Sequence, residues 1–288
     1  MAVVGYALLL ILTGCLRDIR PDSLREHGFT ENAEERGRQV LRESAEAHGI
    51  ARWRETHTVA VRMRDDWDSV IATVMGVAPD WDVEDLLDLR WGRGTFDGSV
   101  VYLNGDRRGD RIGLQNWRSY EARSGTAPQF HEDDDQDEDT AFIIPAVVYL
   151  LELPYRLPNA PVIAYVDEQE LFGRRVHRVL AAWEEEPTSE SDQFLVSIDA
   201  ETHLLTMAEY TVRDQFGFAR GTSTFTRYQR VHGIQVPRRM AVTTRPRENH
   251  DNRYTHRMVM WNWRFDEIAP EAVWPNPALG RSEDAKND

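Results

Sequence analysis

The chain has one cysteine, Cys15, and one lysine, Lys286, in 288 residues. A single cysteine excludes an intramolecular disulfide and a metal site built from several thiolates. With its lysine three residues from the end, the fold has no candidate for a Schiff-base lysine or for the lysine of a phosphate-binding loop. Positive charge is scarce as well. The formal net charge is −15 at pH 7, whereas nucleic-acid binding depends on clustered Lys and Arg, so no nucleic acid is expected as a partner. No GxSxG or HExxH occurs, and Gly92, Gly94 and Gly98 have the wrong spacing for GxGxxG and lead into a strand pattern. No catalytic residue, metal ligand set or cofactor is expected. No stretch supplies the roughly 20 apolar residues of a spanning helix.

What is present is apolar residue content of 41% with nine Trp, enough to bury the core of one large β domain or two smaller ones. From Ala2 to Gly14 the chain is apolar or small except at Tyr6 and Thr13, and charge begins at Arg17. That run fits the apolar region of a secretory signal peptide. Leu12-Thr13-Gly14-Cys15 resembles the bacterial lipobox. The resemblance implies a diacylglyceryl group on the Cys15 thiol, cleavage before it and acylation of the new N-terminus. One departure is that Met1-Ala2-Val3 carries no Lys or Arg. Residues 1–14 are therefore expected as signal peptide and 15–31 as lipid anchor and tether. Acylated Cys15 would be the membrane attachment, since several acyl chains anchor almost permanently.

Asn32 can cap a helix with Ala33, Gly37, Val40, Leu41 and Ala45 on one side, ended by Gly49. From Thr56 the period changes to two, predicting a strand with Val59, Val61 and Met63 on one face. Residues 69–81 read as more sheet or a lid segment and 81–89 as a short helix. Residues 99–103 and 111–117 read as a hairpin around Asn104-Gly105. Seven carboxylates in residues 132–139 predict a solvated loop. Next comes the most apolar segment, in which Ile143, Val147, Leu150 and Leu151 share helical spacing and Pro145 is placed in the first turn. Strand patterns then follow with short polar separators, as antiparallel neighbours require. The last one places Val259, Trp261, Trp263 and Phe265 on one face by strict alternation. Residues 269–288 lose periodicity and are expected to be a flexible tail.

A helix running into AEAHGIARWR, a mid-chain helix ending LPYRL, and strands carrying DAETHLLTMAEYT and YQRVHGIQVPRRM together resemble the lipoprotein-carrier superfamily of LolA and LolB type, over roughly residues 32–268. The Gly233–Pro237 element, Gly-Ile-x-Val-Pro after an aromatic strand, carries most of the likeness. It implies a mainly β (α+β) fold: a strongly curved antiparallel sheet, an incomplete barrel, with the N-terminal helix and the mid-chain apolar helix over its concave face. It further implies a groove that takes acyl chains of a lipid or lipoprotein, in a protein that is no enzyme. The expected groove residues are Val179, Phe225, Val259, Trp261, Trp263 and Phe265, under a lid of Ile143, Val147, Leu150 and Leu151. Placement in the cell envelope follows, and Leu16 rather than Asp after Cys15 favours the outer membrane, facing the periplasm.

Two other readings stand beside this one. An interaction or stress-sensor lipoprotein would use the same fold with a closed core. A hydrolase would need a site outside known motifs, for which Asp65, Asp66 and Asp68 beside Trp67 are candidates. His250, Asp251 and His256 offer two imidazoles and a carboxylate without a third ligand at convincing spacing for a metal.

Overall fold

The computed structural model describes residues 16–67, 79, 81–132, 135–213, 219–243 and 254–282. Residues 1–14, expected as signal peptide, and Cys15, most of 69–81, and His250 with Asp251 lie outside the described residues. Among the described residues four α-helices occur in chain order: α1 Asp22–His27, α2 Glu31–His48, α3 Ile50–Glu55 and α4 Glu138–Arg156. The strands are β1 Thr58–Trp67, β2 Leu87–Gly92, β3 Gly98–Tyr102, β4 Arg111–Gln115, β5 Arg118–Ala122 and β6 Gln129–Phe130 before α4. After it come β7 Val162–Leu171, β8 Arg174–Ala182, β9 Gln193–Asp199, β10 Leu205–Thr211, β11 Arg220–Thr226, β12 Gln229–Val231, β13 Ile234–Val236, β14 Arg239–Thr243 and β15 His256–Phe265.

Thirteen strands form one antiparallel sheet in the order β6-β5-β4-β3-β2-β1-β15-β14-β11-β10-β9-β8-β7, with β12 and β13 paired separately. β6 and β7 are unpaired edges, so the sheet curves without closing. The sequence places a strand pair around each short turn, and only β1 with β15 joins distant parts of the chain. Apolar residues of α2, α4 and one face of the sheet merge into a single core that includes Val40, Leu41, Val147, Leu150, Val179 and Phe265. The two helices thus cover the concave face. α2 crosses edge strand β7 at Gly37, where an added Cβ would lie 2.8 Å from the Tyr165 amide nitrogen. Arg38 also donates to the carbonyls of Ala160 and Pro161. Helix α2 thus packs on β7 at residues 163–165 while Arg38 holds the two residues just before the strand, which limits edge-to-edge pairing there.

Several local expectations change. Thr30, not Asn32, caps α2 by accepting the Ala33 amide hydrogen at 3.3 Å. Residues 87–92 form β2 rather than the end of a short helix, because Leu87 and Leu89 pair across to Met63 and Val61. Acidic residues before α4 cap and charge its N-terminus: Asp137 accepts from the Thr140 amide, and Glu138 and Asp139 occupy the first turn. Pro145 lies inside α4 rather than in its first turn.

Both terminal stretches dock. Leu24 of α1, with Ile19, Phe29 and Ala33, packs on Ala164, Leu180 and Leu195, the sheet face opposite the main core. Gln193 accepts the Ile19 amide hydrogen, and Arg20 pairs with Glu186. At the other end Asp97, fully buried, accepts from Asn116 N, Trp274 Nε1 and Ser282 N at 2.8, 2.8 and 2.9 Å. Asp97, with Gln115 bonded to Asn276 and Gly280 and Asn116 to Leu279, therefore fixes residues 270–282, which carry no periodic pattern. These contacts are long-range, so neither docking is visible in local composition.

Candidate functional site

The concave side is closed over almost everywhere. Among the described residues its main voids include one of about 20 Å³ and one of about 10 Å³, against about one probe sphere of 10–15 Å³ for a single water. The smaller lies under Ile143, Ile144 and Val147 of α4, bordered by Met63, Trp81 and Leu89. The larger lies under the last turns of α4 and is walled by aromatic rings: Trp53, Trp91, Tyr155, Phe225, Tyr228 and Trp263. Leu150 and Leu151 contribute from α4, and Ile234 and Val236 from β13 form its roof.

Of the ten predicted groove and lid residues, Leu150, Leu151, Phe225 and Trp263 border the larger void and Ile143 and Val147 the smaller. Val179 and Phe265 are core residues away from both. Val259 and Trp261 do not join them. β15 carries one extra residue where Ala60 pairs with Arg264 but Arg62 with Trp261, and Asn262 adopts φ 52° there. This bulge switches the side-chain faces. Before it Met258 and Met260 point to the core, and after it Trp263 and Phe265 do; Val259 is left 40% exposed.

Two polar features of this face escape simple pattern reading. Glu152 sits in the apolar helix, 1% exposed. Its Oε1 accepts from Trp91 Nε1 at 2.8 Å and from the Gly94 amide at 3.3 Å, and its Oε2 from Arg156 Nε at 2.8 Å. Arg156 also donates to the Thr95 carbonyl and lies over the Phe96 and Tyr149 rings. Burial pushes the Glu152 carboxyl up, opposed by Arg156 and the hydrogen bonds. The i,i+4 spacing of Glu152 and Arg156 was the only sequence signal. The second feature is His48 at the end of α2, buried among Tyr155 and Tyr228 with edge-on rings. Burial lowers its pKa to about 4, against a smaller opposing effect of the Ser44 carbonyl, so the ring is neutral near pH 7.

At the far end of β1 the carboxylates considered for a hydrolase take separate roles. Asp65, fully buried, bonds His256 Nδ1 at 3.0 Å and accepts from Trp67 Nε1 at 2.8 Å, while Trp67 stacks on His256. Asp66 instead accepts from Tyr254 and Arg257 nearer the surface. The sequence pattern had placed Asp65 and His256 in different candidate sites; the β1–β15 register brings them together. Asp68 lies outside the described residues. Among the described residues no three His, Cys, Asp or Glu side chains gather as metal ligands.

No family model and no curated protein matches the chain. Solved structures similar to it include a DUF1329 family protein from Desulfovibrio piger, at 12% identity and TM-score 0.49, covering 86% of this chain and 99% of that one. A putative outer membrane lipoprotein-sorting protein domain from Vibrio parahaemolyticus is similar at 14% identity and TM-score 0.48, covering 86% and 100%. A LolA superfamily protein from Nitrosomonas europaea is similar at 12% identity and TM-score 0.46, covering 82% and 96%.

Proposed function

We propose that the chain is a lipid-anchored protein of the bacterial cell envelope that binds an acyl chain of a lipid or lipoprotein, as a carrier or acceptor, without catalysing a reaction. The observation that carries the reading is the aromatic and aliphatic void on the concave face, lined on one side by the sheet and on the other by α4 and β13, which lie outside the thirteen-stranded sheet. The Leu12–Cys15 pattern supports anchoring through acylated Cys15, and outer-membrane placement facing the periplasm follows from Leu16 if the host sorts by that residue. A net charge of −15 supports acyl anchoring over charge attraction as the membrane attachment.

A second reading, a partner-binding or sensor lipoprotein with a permanently closed core, is favoured by the size of the void, which has room for a water molecule and not for an acyl chain. Native mass spectrometry of the purified protein before and after organic extraction separates the two. Bound lipid or acyl-peptide mass that disappears on extraction is the carrier result; a clean apo mass with no fatty-acid uptake leaves the closed-core reading. The mass of the N-terminal peptide after digestion reports whether Cys15 carries a diacylglyceryl thioether and an acylated amine.

A further inference from the structure

The roof of the larger void is the part of the concave cover that makes no ladder bonds to the main sheet. β12 and β13 pair only with each other among the described residues. At the base of this hairpin the Arg238 amide donates to the Arg227 carbonyl at 3.3 Å, so the chain leaves and rejoins the sheet at one point. Its far end turns through His232 and Gly233, with φ 49° and 90°, and rests on the α2–α3 junction. There an added Cβ at Gly49 would meet the Gly233 carbonyl oxygen at 2.4 Å. What holds the hairpin down is backbone apposition, the burial of Ile234 and Val236, one hydrogen bond from Tyr228 to the Leu205 carbonyl at 2.7 Å, and an exposed His232–Glu267 contact at 3.7 Å.

Beneath it, two polar atoms of the wall have no partner among the described residues: His48 Nε2 and Trp263 Nε1. His48 is 1% exposed. Its Nδ1 lies 2.8 Å from the Ser44 carbonyl, which can only accept, so Nδ1 carries the proton and Nε2 presents a lone pair. Trp263 Nε1 can only donate. The nearby phenols cannot serve His48, because Tyr155 donates to the His48 carbonyl and Tyr228 to the Leu205 carbonyl. An unmet acceptor and an unmet donor in one apolar wall suit a group that both donates and accepts.

Resting on the acyl-binding reading above, we propose that this void is the closed form of a binding site for an aliphatic chain bearing a neutral amide-like or hydroxyl group, with hairpin 227–238 as its lid and His48 Nε2 and Trp263 Nε1 as partners of that group. Ligand pockets are commonly about 300–1,000 Å³, so the site must gain volume. Lifting Ile234 and Val236 supplies it without breaking the thirteen-stranded sheet.

A disulfide clamp tests the lid. A Cβ at Gly233 would lie 3.9 Å from Arg52 Cβ, within the roughly 3.5–4.5 Å that a disulfide spans. In the full chain with Cys15→Ser, the Arg52→Cys, Gly233→Cys pair holds the only thiols. The probe is N-dansyl dodecylamine, whose sulfonamide donates and accepts beside an aliphatic chain. The expected result is binding, seen as a blue-shifted emission, by the Cys15→Ser parent and the reduced variant, at least about tenfold weaker binding on oxidation, and recovery on reduction. Circular dichroism of the reduced form confirms that it is folded. Equal binding by oxidised and reduced protein would overturn the lid and leave acyl binding standing. No binding by the parent would overturn the acyl-binding reading and the lid with it. His48→Phe is expected to weaken the probe about tenfold; unchanged affinity would remove His48 from the site.

Discussion

Two elements cover the same concave face and are held by opposite means. Helix α4 is pegged by Glu152, whose buried carboxylate is shared among Trp91, Gly94 and Arg156. Hairpin β12–β13 is held to the core chiefly by apolar side chains, Ile234 and Val236, with a single hydroxyl bond from Tyr228 to the Leu205 carbonyl and no buried charge. Lifting the helix would strand a buried charge pair, whereas lifting the hairpin exposes apolar surface that a ligand chain can cover again. The apolar helix is the obvious lid on composition, yet its few polar residues make it the fixed cover. Hydrophobicity marks what is buried and does not say what can leave.

The largest expected effect breaks the peg. Glu152→Leu leaves Arg156 buried without its carboxylate and is expected to cost about 3–5 kcal/mol, read as a lowered urea midpoint. A change below about 1 kcal/mol would show that the peg does not hold α4. Next is the pH dependence set at the hairpin side by His48. Its folded pKa is depressed to about 4, below the ordinary value of 6.5. The unfolded chain therefore takes up the proton first, so this contribution to stability is present above pH 6.5 and is lost as pH falls toward 4. The loss amounts to about 3 kcal/mol. Urea titrations across that range should show the slope in the parent chain and a flatter profile in His48→Phe.

A smaller effect contrasts the concave cover with the docked tether on the opposite face. Leu24→Ala is expected to cost about 2 kcal/mol, at the low end for a core leucine because α1 can detach without opening the main core. Tryptic cleavage after Arg17 and Arg25 should become faster while the rest of the chain stays resistant. The smallest effect sharpens the bulge in β15. Val259→Ser, on the exposed face, should change stability by no more than about 0.5 kcal/mol; a loss of several times that would place Val259 in the core and contradict the register switch at Asn262.

Much of the architecture was legible because it is local. Alternation in β1, the Asn104-Gly105 turn, the helical spacing of Ile143 to Leu151 and Gly49 at the end of α2 each act through neighbours in sequence. The candidate site was legible only in part. Phe225, Trp263, Leu150 and Leu151 reach the void, while Val259 and Trp261 fail since one inserted residue reverses alternation and carries no strong sequence mark. Residues 270–282 were unreadable for another reason: side chains far back in the chain, Asp97, Gln115 and Asn116 among them, fix them across more than half its length.

By itself the sequence determined the number of thiols and lysines, the acidic charge and the apolar and aromatic content. It also set the periodicities that make a helix, a run of antiparallel strands and a mid-chain apolar helix. These are properties of composition and of contacts a few residues apart. Tertiary structure alone decided that β1 lies beside β15, that Asp65 meets His256, that Glu152 pegs α4, and that His48 and Trp263 face one void under a hairpin. Each of those depends on the register and curvature of thirteen strands. Register is a sum over many weak pairings, which no short stretch of sequence contains.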